Sequence, residues 1–172
     1  MEERAREEPA GRRPRRSRRT LRVLGATLIA VDANVLVYAF RQEFELYELA
    51  RSALRDLAEG DEAWGLPIFA IGEFFRVVTH PRYLDPPATS ALVMNNVEGL
   101  LASPSCKLLL PGDRHFPLLR VTVEEARATG NLIFDAQIVA VCLEHGADEV
   151  LTEDADMRRF PSIRVRGLAD QS

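Results

Sequence analysis

The sequence predicts an α/β fold, with a central, mostly parallel sheet and helices on both faces. Three observations carry that expectation. Short apolar runs alternate with helical segments from residue 28 to residue 168, the pattern that builds strand–helix–strand units. The first run, Leu28-Ile29-Ala30-Val31, is apolar at every position, as in a strand covered on both faces. The 172 residues are 47% hydrophobic and 28% charged, which suits one globular unit with a sizeable core.

The elements follow in order. After the Leu28–Val31 strand, residues 33–40 turn helical. Residues 45–59 place Leu46, Leu49, Ala50, Ala53, Leu54 and Leu57 on one helical face, and Gly60 ends that helix. Residues 64–69 form a second strand, where Pro67 favours an edge or a bulge. Residues 71–79 form a helix stopped by His80-Pro81. Pro86-Pro87 opens a loop into a helix over 89–102, and 106–110 reads as a strand. Asp113 is the expected N-cap of a helix over 114–128, with Pro117 in its tolerant first turn. Gly130-Asn131 breaks that helix; 134–145 forms the next, closed by Gly146. A strand over 149–152, a helical turn near 154–159 and a strand over 163–165 complete the unit.

Charge is unevenly distributed. Residues 1–22 hold nine arginines and four glutamates, a net of +5, whereas the rest of the chain carries −9. The first 22 residues have too little apolar surface to order themselves and read as a disordered Arg-rich arm, a type that also touches nucleic acid. Ser17-Arg18-Arg19-Thr20-Leu21 before an apolar run resembles a twin-arginine export signal. That run ends in Asp32 after nine residues, and no Ala-x-Ala site follows it. A cytoplasmic location is therefore expected, with no membrane span, since no apolar run approaches the ~20 residues a span needs. Two cysteines, Cys106 and Cys142, are too few for a disulfide framework.

Acids sit where such a sheet gathers chemistry, beyond the carboxyl ends of the strands. Asp32 directly follows the first strand. Asp154 and Asp156 follow the strand at 149–152. Asp135 starts a helix, and Glu73 lies early in the helix at 71–79. Helix capping accounts for an Asp at one helix start, but not for Asp32, Glu73 and Asp154 together. Clustered carboxylates repel, more so when buried. No His or Cys set at ligand spacing accompanies them, and Lys107 is the only lysine. Oxygen-only donors of this kind suit a hard divalent cation, Mg²⁺ or Mn²⁺. On this reading Asp32→Asn should stabilise the metal-free protein by relieving repulsion. Arg41, Arg76, Arg82 and Arg114 are candidates to offset the acidic field toward an anionic ligand. His80, His115 and His145 read as structural.

The same residues carry a family resemblance. Val31-Asp32-Ala33-Asn34-Val35-Leu36-Val37-Tyr38 resembles the opening of a PIN-domain ribonuclease. Ile71-Gly72-Glu73-Phe74-Phe75-Arg76 resembles the second acidic motif, and Gly130-Asn131-Leu132-Ile133-Phe134-Asp135-Ala136 the third. Leu151-Thr152-Glu153-Asp154-Ala155-Asp156, followed by Arg159-Phe160-Pro161, resembles the last. The four stand in order over residues 28–168 and are most similar to the VapC-type toxins of bacterial toxin–antitoxin pairs. Met157 departs from the pattern, where the family usually has an aromatic residue.

The resemblance implies a PIN-like three-layer sandwich and an Mg²⁺- or Mn²⁺-dependent endoribonuclease with an RNA substrate, a cognate antitoxin protein and a homodimeric state. Asp32, Glu73, Asp135 and Asp154 are the expected catalytic residues, with Asp32, Asp135 and Asp154 as metal ligands. Asn34, Thr152 and Asp156 are expected around them. The competing expectation is a catalytically silent RNA- or protein-binding module on the same fold. A phosphatase is disfavoured because Asp32-Ala33-Asn34 lacks a second Asp two residues on.

Overall fold

The computed structural model describes residues 28–170. The arm read over residues 1–22 lies outside them. Five strands form one sheet: β1 (Leu28–Val31), β2 (Trp64–Pro67), β3 (Cys106–Leu109), β4 (Ala147–Leu151) and β5 (Arg164–Arg166). All four neighbouring pairs are parallel, in the order β3-β2-β1-β4-β5. The chain thus starts at the centre, winds outward through β2 and β3, then returns to the other side of β1 for β4 and β5. The crevice between β1 and β4 is the switch point where the winding reverses.

Six α-helices cover the sheet: α1 (Ala33–Phe40), α2 (Tyr47–Glu59), α3 (Ile68–Val78), α4 (Ser90–Leu101), α5 (His115–Ala126) and α6 (Leu132–Glu144). Successive side chains of a strand face opposite ways, so the sheet separates two cores. Ile29 and Val31 join Trp64, Leu66 and the buried faces of α1–α4 on one side. Leu28 and Ala30 join Val150, Leu109 and α6 on the other. The expected three layers are present, and every residue of β1 is buried.

Several boundaries differ from the sequence expectation, each for a local reason. The strand expected over 64–69 ends at Pro67, and α3 begins at Ile68 rather than residue 71. Pro67 belongs to an interior strand, not an edge, but stands at its last residue, where the missing N–H costs little. Its φ of −60° also suits the N-cap it provides for α3. Gly60 closes α2 with φ −82°, so it is not needed for a left-handed turn; a Cβ there would lie 2.7 Å from the Asp56 carbonyl oxygen. Asp113 does not cap α5. Arg114 holds the N-cap position, and the Glu144 carboxylate accepts the backbone N–H groups of Gly112 and Arg114 at 2.8 Å each. On α2, Leu49 is 47% exposed, while Ala50, Ala53, Leu54 and Leu57 are buried.

Met157 is fully buried in the core shared with α6, so the departure at this position is absorbed by packing. Cys142 is buried in the same core. His145 is tied through Nε2 to the Leu110 carbonyl at 2.8 Å, and the His115 ring stacks on Phe69.

Gly65 in β2 marks a close approach beneath the sheet. A Cβ there would lie 2.8 Å from a methyl carbon of Leu109, which is fully buried and cannot move aside freely. Gly65→Ala should therefore destabilise the protein by about 1–3 kcal/mol, through overpacking rather than backbone strain. The midpoint of urea unfolding measures it.

Candidate active site

The carboxyl end of β1 delivers Asp32 into the crevice beside β4. The ladder continues one residue past both strands, with the Asp32 N–H donating to the Leu151 carbonyl at 3.1 Å. Asp32 is 4% exposed and is the N-cap of α1, its Oδ1 accepting the Ala33 N–H at 2.7 Å. Its Oδ2 accepts two further donors, the Thr152 hydroxyl at 2.7 Å and the Asn34 side-chain amide at 2.8 Å. Capping is therefore only one of three hydrogen bonds on this carboxylate.

Thr152 lies one residue beyond β4 and is 1% exposed. Besides donating to Asp32, its Oγ1 accepts the second Asn34 amide N–H at 2.8 Å and the Asp154 backbone N–H at 3.0 Å. Asn34 Oδ1 accepts the Glu153 N–H at 3.1 Å. Both amide hydrogens of Asn34 are thus committed, so this side chain ties the β1 and β4 ends together where it lines the cleft. Asp154 in turn accepts the Asp156 N–H at 2.8 Å and caps the 3-10 turn Ala155–Arg159.

Four acids from four segments line one cleft of about 190 Å³: Asp32, Glu73, Asp135 and Asp154, beside Asn34 and Tyr38. Glu73 arrives from the second turn of α3, since that helix starts three residues earlier than its periodicity suggested. Asp135 arrives from the first turn of α6. Asp156 does not reach this inner cleft. It lines a larger adjoining one of about 670 Å³, which shares Glu73, Asp135 and Asp154, and it faces Arg159 at 4.0 Å. Arg76 lines the outer cleft and pairs with Glu73 at 3.2 Å. Of the other candidate arginines, Arg41 is engaged by Glu43 and the Pro86 carbonyl. Sequence reasoning named no role for Asn131, Gln137 or Tyr83, which also line the outer cleft. The only signal for Asn131 was its place in the Gly130–Ala136 motif.

Burial and like charge act together on these acids. The Asp32 carboxyl is pushed up to about 6, chiefly by burial; Thr152 and Ala33 oppose this, and the charges of Glu73 and Asp154 add to it. Asp135 is pushed up to about 7, first by burial and then by Asp154, Asp32, Glu73 and Asp156. The donor set fits a hard divalent cation. All candidate ligands are oxygens, and positive charge would relieve the repulsion that raises Asp32 and Asp135. Asp32 keeps lone-pair capacity after its three hydrogen bonds, and Asp135 accepts none from the described residues. Among the described residues no group of three or more His, Cys, Asp or Glu side chains is already drawn together as a metal-binding set.

A PIN domain family model matches residues 29–163. Ribonuclease VapC43 of Mycobacterium tuberculosis is 37% identical over 143 residues, covering 83% of this chain and 97% of that protein. The chain belongs to the VapC group of the PIN-domain family. A second relative, Ribonuclease VapC31 of the same species, is 33% identical over 137 residues, covering 80% and 96%. Among solved structures, VapBC2 of Rickettsia felis, bound to a DNA fragment from its promoter, superposes with a TM-score of 0.58 at 14% identity, covering 82% of this chain and 98% of that one. M. tuberculosis VapC20, described as a sarcin-ricin loop cleaving toxin, superposes with a TM-score of 0.55 at 17% identity, covering 79% and 98%. Those two likenesses show that the fold of this VapC-type chain is shared at low identity.

Three outcomes follow. Thr152→Val removes the hydroxyl that Asp32, Asn34 and the Asp154 N–H all use, and should cost about 1–3 kcal/mol of stability in chemical denaturation. In chelator, raised native-state values mean that the folded protein binds more protons than the unfolded chain between about pH 4 and pH 7. Stability should therefore rise as pH falls from about 8 to about 5, read as melting temperature against pH. At neutral pH, Asp135→Asn should raise metal-free stability by about 0.5–2 kcal/mol. Asp135 replaces Asp32 as the position for that substitution, because Asp32 Oδ2 accepts two donors that an amide NH₂ cannot.

Proposed function

We propose that this chain is a divalent-metal-dependent endoribonuclease that acts in the cytoplasm as the toxin of a toxin–antitoxin pair. The observation that carries the reading is the convergence of Asp32, Glu73, Asp135 and Asp154 on one cleft at the β1/β4 switch point. The ribonuclease names of relatives at 33–37% identity support RNA as the substrate. The VapBC complexes among the structural neighbours support a cognate antitoxin as partner. A homodimer is the expected assembly. No helix among the described residues is long and apolar enough to cross a membrane.

Asp32, Asp135 and Asp154 would hold Mg²⁺ or Mn²⁺. When bound, the ion lowers the pKa of a coordinated water and stabilises charge on the scissile phosphate. The chain's own residues do the positioning. Thr152 and Asn34 lock the Asp32 carboxylate so that its free lone pair points in a constant direction. Asp135 offers oxygens unengaged by protein donors. Glu73, close to both clefts, orients the attacking water. Arg76 beside it supplies positive charge toward an anionic strand that the acidic body would otherwise repel.

The direct check incubates the purified chain with mixed RNA in Mg²⁺, in Mn²⁺ and in chelator. Cleavage should require the ion. Asp32→Asn and Asp135→Asn should lower the rate more than about 100-fold, and Asn34→Ala about 10- to 100-fold, because it acts through Asp32. No cleavage with either ion would leave the binding-module reading in its place, and equal cleavage by wild type and Asp32→Asn would overturn the assignment of this cleft as the active site.

A further inference from the structure

The outer cleft is equipped for something other than holding a metal. Its lining includes Phe134, a large apolar side chain that is 61% exposed directly beside Asp135. Phe69, in the same lining, already has its ring stacked on His115 at 5.3 Å. Among the described residues no ring is paired with Phe134. An exposed phenyl face costs solvation wherever it stands, and here it stands at the edge of the acidic centre.

Its neighbours on α6 are informative. Asn131, Phe134 and Gln137 are spaced by three, so they share one helical face, and all three line the cleft. Asn131 makes no side-chain cap hydrogen bond, although it occupies the N-cap position. Gln137 makes no side-chain hydrogen bond within the described residues. Two amides, each able to donate and accept, therefore flank an open π face. Arg76 completes the set, placed over the Tyr83 ring at 5.9 Å, with both residues lining the cleft. The volume of about 670 Å³ lies within the range of small-ligand pockets, about 300–1,000 Å³.

We propose that Phe134, flanked by Asn131 and Gln137 with Arg76 in the same cleft, is the seat for one unpaired base of the RNA next to the scissile phosphate. This rests on the endoribonuclease reading above and names what that site selects. The base stacks on Phe134, the two amides meet its hydrogen-bonding edge, and the Arg76 guanidinium meets the backbone. Stacking admits any base, whereas the amides discriminate among them. Bases inside an A-form duplex are already stacked and their edges are hidden in the deep groove, so the seat selects single-stranded or splayed segments.

The test is binding, measured in chelator so that cleavage does not intervene. The full chain is titrated with labelled oligo-A, oligo-C, oligo-G and oligo-U, and with a blunt RNA duplex. Phe134→Ala should weaken single-strand binding about 5- to 150-fold and leave duplex binding unchanged. Phe134→Trp should restore the affinity, since Trp keeps the π face. Gln137→Ala should narrow the spread among the four homopolymers. Unchanged single-strand affinity in Phe134→Ala overturns the inference. So does a loss that tracks a change in sedimentation, which would make Phe134 a contact between copies of the chain. The two readings fail separately. Ion-dependent cleavage with an unaltered KM in Phe134→Ala removes the seat and keeps the nuclease. Phe134-dependent binding without cleavage in either ion does the reverse.

Discussion

The hydrogen bond from Thr152 to Asp32 joins residues 120 positions apart and closes the crevice on which the site depends. It joins the ends of β1 and β4 at the reversal of the winding, where neighbouring connections diverge and leave a gap. Without a donor at that point, Asp32 would be a buried carboxylate held only by the first N–H of α1. With Thr152 and Asn34 it is held from both sides of the gap, and Thr152 then passes the constraint on to Asp154. One hydroxyl and one amide thereby fix the Asp32 carboxylate and the backbone that carries Asp154.

The remaining acids show what that ordering opposes. Asp135 is the least satisfied: it has no protein donor, and its protonation equilibrium is displaced by burial and by four neighbouring acids. The protein tolerates this because two well-packed cores bracket the sheet, with β1 wholly buried between them. The strain is electrostatic rather than conformational. Asp32 has extended backbone, and the only non-glycine positive φ among the described residues is at Arg127, between α5 and α6. A site frustrated by charge alone is one that positive charge can relieve without moving the scaffold.

The two clefts share acids but differ in what else lines them. The inner cleft is lined by four carboxylates, while the adjoining outer cleft, which shares three of them and gains Asp156, adds Arg76, three aromatic side chains and two amides. Arg76 stands at the junction, one helical turn from Glu73. A net charge of −4 is thus no guide to the partner, because the total does not show that an arginine, three aromatic side chains and two amides line the same cleft as the acids.

Much of this was legible in the sequence because it is local. A wholly apolar tetrapeptide ending in Asp announces a buried parallel strand with an acid at its carboxyl end, and ordered acidic motifs announce the family. Where elements begin was less legible. Pro67 reads as a strand breaker at an edge, yet it ends an interior strand and starts α3, since a proline at a strand's last residue forfeits little. Asp113 reads as a cap, yet Arg114 holds the N-cap position and Glu144 of α6 accepts the N–H groups of Gly112 and Arg114, and no local pattern predicts a donor–acceptor pair 30 residues apart. The sequence alone determined which residues are acidic, which segments are apolar and that the two interleave. Only the tertiary structure decided which acids share a cleft, that Asn34 is spent on Thr152 and Asp32, and that Phe134 stays uncovered. Those outcomes depend on packing and hydrogen bonds between segments far apart in the chain, and residue order does not encode such contacts directly.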